Sequence, residues 1–157
     1  MLLIVLARAT GTLGGWSGFD VMLAAALLLA TCLIVEVAAR TAPNRSYLAG
    51  VATALVAGVG LVVVNGAVGL IGAEDQVHNR VFLGVTLVAL TIAALTRGRP
   101  PGMVRAMSAA ALVHVALSAF LLGTAGSTGI EAVGLSVFAA FWLASAWLFR
   151  RSAVRAD

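Results

Sequence analysis

The stretch 48–72 carries no charged side chain, and at about 1.5 Å of rise per helical residue it is longer than the ~30 Å hydrocarbon core of a bilayer. In lipid a backbone can satisfy its amides only internally, so a run of this kind reads as a transmembrane helix. Four further apolar runs, 19–39, 81–96, 103–122 and 130–149, are joined to it and to one another by short polar links. The expected fold is therefore all-α: a polytopic membrane helix bundle of about five transmembrane helices, filling 1–157 as one integral membrane domain.

Composition agrees with this reading. The chain is 62% hydrophobic and 10% charged, with a mean hydropathy of +1.09, far outside the soluble range. All ten basic residues are arginine, and the net charge is +4. They cluster at the ends of the apolar runs without a basic stripe or interleaved aromatics, so the charge does not point to nucleic acid. Cys32 stands alone in an apolar run, which excludes an internal disulfide and reads as a small buried thiol.

The first eighteen residues leave two alternatives. The segment MLLIVLA is too short to span and lacks the basic leader of a secretory signal. It is either part of an extra N-terminal span or an interfacial segment anchored by Trp16. Beyond it, Asp20 favours the N-terminus of the first full span through the helix dipole. Glu36 and Arg40 have the spacing of an i,i+4 ion pair at the other end.

Close packing is written into the second span. Gly50, Ala54 and Gly58 recur every fourth residue, and Gly66, Gly69 and Gly72 every third, which lets a neighbouring backbone approach. In the fourth span Ala106, Ala110, His114 and Ser118 form a small and polar seam directed at other helices. The last span carries Ser136, Ala140 and Ala144 on one face. Pro100 and Pro101 disfavour a helix continuing through the turn at 97–102.

Two buried polar residues stand out by depth. Asn65 and His114 each lie nine residues from a boundary, roughly 13–14 Å in, so both fall near the midplane. An amide-to-imidazole hydrogen bond between them is one expectation. A bond from each to a backbone carbonyl or nearby serine is the other.

The stretch 61–85 ends an apolar helix at glycines, crosses an acidic link of Glu74, Asp75, His78 and Asn79, and opens a second apolar run. Its residues Asn65, Gly66, Ala67, Val68, Gly69, Ile71, Gly72, Glu74, Asp75 and Asn79 resemble the core motif of an uncharacterised family of small bacterial inner-membrane proteins. The similarity extends to Phe19 and Asp20, to Arg99, Pro100, Gly102, Met103 and Arg105, and to the closing run 138–151. Gln76 and His78 depart from the family pattern, where asparagine and a small residue are usual. The resemblance implies a fold type and a bacterial membrane, and brings no activity with it.

Arginine counting gives the orientation. Arg40, Arg45, Arg97, Arg99, Arg105, Arg150, Arg151 and Arg155 fall on one side, and Arg80 on the other. By the positive-inside rule the larger group is cytoplasmic, which places the acidic link and Glu131 outside and the C-terminus inside.

No catalytic constellation emerges. Glu74, Asp75 and His78 make an incomplete metal set, and His114 is too deep to join them. The two histidines lie at different depths, unlike a bis-histidine haem site. No nucleophile triad, phosphate loop or CxxC pair is present. No cofactor and no metal are expected, and an enzyme is less favoured than its alternatives. The sequence favours a structural or accessory membrane protein, with the lipid bilayer and a membrane-protein partner or homo-oligomer as partners. The alternatives are a small proton or solute transporter and a lipid- or quinone-handling membrane enzyme.

Overall fold

A computed structural model of the chain describes residues 17–67, 77–124 and 129–154, with the side chains of 67 and 77–79 outside that description. The described residues form five helices: α1 (Gly18–Thr41), α2 (Arg45–Ala67), α3 (Val77–Leu95), α4 (Pro100–Thr124) and α5 (Gly129–Val154). The chain is an all-α helix bundle. Four of the helices are long and apolar enough to cross a membrane, whereas the apolar part of α3, Arg80–Leu95, is shorter. The expected span 48–72 starts one turn earlier as α2, and its last residues, 68–72, lie outside the described residues.

The chain divides into two units, Met1–Arg40 and Thr41–Asp157. In the first, α1 begins with a reciprocal cap: Ser17 N–H donates to Asp20 Oδ2 at 2.7 Å, and Asp20 N–H donates to Ser17 Oγ at 3.2 Å. Two donors that a helix start leaves unbonded are thereby satisfied. Asp20 thus acts as a hydrogen-bond acceptor as well as a favourable charge. At the other end Arg40 Nε donates to Glu36 Oε1 at 2.6 Å, the ion pair its spacing permits.

In the second unit the helices form a ring, with the main contacts between α2 and α3, α3 and α4, α4 and α5, and α5 and α2. Along α5 the buried or half-buried positions Leu135, Phe138, Trp142, Ser145, Phe149 and Ser152 alternate steps of three and four. That rhythm keeps one face of the helix turned toward its neighbours, as in helical bundles. Met103, Met107, Ala110 and His114 continue the same rhythm on α4. Phe82, Val85 and Ala89 do so on α3.

The α3–α4 turn shows how the paired prolines are used. Gly98 N–H bonds Ala93 O and Arg97 N–H bonds Ala94 O, both at 3.0 Å, which closes α3 in a Schellman motif. The motif needs a left-handed residue, here Arg97 at φ 52°, followed by Gly98 at φ 65°. Pro100 then occupies the first helical position of α4, where a missing N–H costs nothing.

Candidate functional site

The interior of the second unit carries its polar chemistry on all four helices: Asn65 on α2, Thr86 on α3, His114 and Ser118 on α4, and Ser145 on α5, with the indole of Trp142 beside them. Most of the surrounding volume is filled. Trp142, Phe82, Leu61, Leu135 and Val85 are almost wholly enclosed.

His114 is held by three neighbours. Its Nε2 lies 3.0 Å from Leu135 O. A carbonyl only accepts, so Nε2 carries the proton and Nδ1 presents its lone pair. The Phe82 ring sits 5.3 Å away, centroid to centroid, and the Phe138 ring 6.4 Å. Ser118 Oγ donates to His114 O at 2.7 Å within α4. The imidazole therefore takes the backbone-carbonyl bond, not an amide-to-imidazole bond to Asn65. Phe138 also packs on Gly60 of α2, and Asn65 lies five residues beyond Gly60, about 7.5 Å along that helix.

Three buried polar atoms in this interior have no hydrogen-bond partner among the described residues: Thr86 Oγ1, His114 Nδ1 and Trp142 Nε1. Each such group in an apolar medium is costly, on the order of 1–3 kcal/mol by mutational scales. They sit on three different helices, and two of the three residues, Thr86 and Trp142, border Gly58 of α2. A Cβ placed on Gly58 would meet Thr86 Cγ2 at 3.4 Å and the Trp142 ring at 3.5 Å.

A second polar group ties one end of the bundle. Asn44 caps α2 through Oδ1, which accepts from Tyr47 N–H at 3.1 Å, while its Nδ2 donates to Ser152 O of α5 at 3.2 Å. Tyr47 Oη donates to Gly98 O in the α3–α4 turn at 2.6 Å, and its ring meets Phe149 edge-on at 5.0 Å. One turn further in, Ser145 Oγ donates to Gly50 O at 2.8 Å. These bonds join α2, α5 and the α3–α4 turn at the end that carries most of the arginines.

The glycines singled out in the sequence divide. Gly50 lies against the Phe149 ring, with all three nearest ring atoms 3.1 Å from a would-be Cβ, and Gly58 packs as described. Ala54 between them is half-buried. Gly66 is exposed, and among the described residues nothing lies within 4 Å of a Cβ built there. Gly60, which no stripe in the sequence marked, meets Phe138 at 3.1 Å. The tightest of the described glycines is Gly102, where a Cβ would overlap Thr96.

Gly69, Gly72, Glu74 and Asp75 lie outside the described residues, as do the side chains of His78 and Asn79 at the start of α3. Cys32 is exposed on α1 rather than buried. Ser136, Ala140 and Ala144 also face outward, and Ser136 Oγ bonds its own helix at Ala132 O. Among the described residues no group of three His, Cys, Asp or Glu side chains could hold a metal ion. Comparison with protein families, curated proteins and solved structures finds no match to this chain.

Proposed function

We propose that this membrane-spanning helical protein is a structural or accessory subunit that packs against a partner membrane protein or a second copy of itself. The observation that carries this reading is the filled interior. Trp142, Phe82, Leu61, Leu135 and His114, each under 2% exposed, occupy the space between the helices that a conduction path would need. The test is purification of the full chain in mild detergent, with native mass measurement. A stoichiometric complex or defined oligomer is expected, and a monomer that drives flux in liposomes would overturn the reading.

The second reading is a small proton path. It is favoured by Thr86 Oγ1, His114 Nδ1 and Trp142 Nε1, three buried polar atoms without a described partner on three helices. Proton leak in liposomes that disappears in His114→Ala would select it.

The resemblance of the 65–79 stretch supports membership of the small inner-membrane family, and with it a bacterial inner membrane. The arginine bias supports a cytoplasmic C-terminus. Reporter fusions or cysteine labelling at Arg99 and Arg155 are expected to report the inside, and at Asp75 the outside. A cytoplasmic Asp75 would reverse that topology.

A further inference from the structure

The last two turns of α5 form an open groove of about 300 Å³ lined by Trp147, Arg150, Arg151 and Val154. These positions, at i, i+3, i+4 and i+7, share one helical face. Trp147 is 55% exposed and Val154 72%, while both arginines are exposed and enter no ion pair among the described residues. The Arg151 guanidinium lies over the Trp147 ring, 4.6 Å from its centroid. We propose that this groove binds the phosphodiester headgroup of an anionic phospholipid, with an acyl chain lying along the outer face of α5.

Three observations converge on a lipid. Arginine forks match phosphate oxygens in a bidentate manner, and stacking on the indole holds Arg151 in place before the ligand arrives. Charge favours an anion despite the position at a helix C-terminus: two full positive charges face a dipole end equivalent to about −0.5. One of that end's carbonyls, Ser152 O, already accepts from Asn44. Finally, the same outer face continues from the groove as exposed Ala144, Ala140 and Ser136. This small-residue track lets an acyl chain approach the helix, and Trp147 sits where interfacial indoles favour the headgroup boundary.

The test uses the full chain in mild detergent, titrated with phosphatidylglycerol or with phosphatidylcholine of the same chains and read by native mass spectrometry. Phosphatidylglycerol is expected to bind preferentially. The double variant Arg150→Gln/Arg151→Gln should weaken that binding roughly 20- to 30-fold, about fivefold per arginine. Trp147→Ala should weaken it roughly two- to fivefold. The control Arg97→Gln/Arg99→Gln removes equal charge from the α3–α4 turn at the same end of the bundle and should leave binding unchanged. An equal loss in that control would reduce the effect to diffuse attraction and overturn the site. Competition by millimolar inorganic phosphate would show a free-anion site and overturn the lipid assignment, whereas its failure supports it.

Discussion

Helices α1 and α4 are nearly the same length, yet the more hydrophobic of the two is the less buried. The most apolar window of α1 has a mean hydropathy of 2.5 and is 11% buried, whereas that of α4 has 1.9 and is 39% buried. The difference lies in which residues lower the hydropathy of α4. Ala106, Ala110, His114 and Ser118 are its buried face, while α1 exposes Met22, Leu29 and Leu33. In lipid there is no hydrophobic gain in moving leucine from tails to a neighbouring helix. Association rests on close packing and interhelical hydrogen bonds, which small and polar residues supply. Hydropathy thus measures readiness to enter the membrane, and the small or polar seam measures readiness to pack.

The sharpest break between packed and exposed positions is expected at Trp142. Trp142→Ala empties the most voluminous enclosed site among the described residues and should cost about 3–5 kcal/mol. Leu29→Ala on α1, at a position 60% exposed, should stay within roughly 0.5 kcal/mol. Equilibrium unfolding of the detergent-solubilised chain measures both. Equal losses would mean that enclosure of a side chain does not set what it contributes.

A pair of glycines tests the same idea with opposite signs. Gly102→Ala drives a methyl into Thr96 and should destabilise by about 1–3 kcal/mol. Gly134→Ala on α5 meets nothing within 4 Å, and gains about 0.5–1 kcal/mol of helix preference. A stabilised Gly102→Ala variant would show that the α3–α4 turn opens freely.

How much of this was legible beforehand follows from the same physics. The long runs, the proline turn and the Ala106–Ser118 seam were readable because charge, proline and small-residue spacing stand out against apolar sequence. The α5 seam was not. Ser136, Ala140 and Ala144 marked a small-residue face there, but the helix buries Leu135, Trp142 and Phe149 with Ser145. Where both faces are apolar, composition cannot tell which one meets protein. The sequence left a backbone carbonyl as one of two expected kinds of partner for His114, but could not say which carbonyl; it is Leu135 O. Backbone carbonyls are present at every position, so no residue type announces them. Gly60 was missed for a related reason: its partner, Phe138, is 78 residues away, and only the pairing of α2 with α5 reveals it.

A smaller effect is expected where a hydrogen bond, not volume, is removed. Tyr47→Phe keeps the ring against Phe149 but deletes the donor to Gly98 O. The expected loss is about 1 kcal/mol. Proteolysis or hydrogen exchange at the α3–α4 turn should report it more strongly than global unfolding. An unchanged turn would show that Asn44 and the Schellman bonds hold that end without the tyrosine.

The smallest expected effect tests α1 itself. Glu36 and Arg40 form an i,i+4 pair with the acid on the N-terminal side, the better orientation, and both side chains are largely exposed. In water such a pair couples by about 0.3–0.5 kcal/mol and weakens with salt. A double-mutant cycle of Glu36→Gln and Arg40→Gln isolates the coupling, because the changes of size and local preference made by each single substitution cancel in the cycle. Repeating it at high salt gives the screening. A coupling near 0.4 kcal/mol that falls in 0.5 M salt places this end of α1 in water. A salt-insensitive coupling well above 1 kcal/mol requires a low-dielectric surrounding. That outcome would mean the end of α1 is covered, and the contrast with α4 would then hold for the apolar middle of α1 alone.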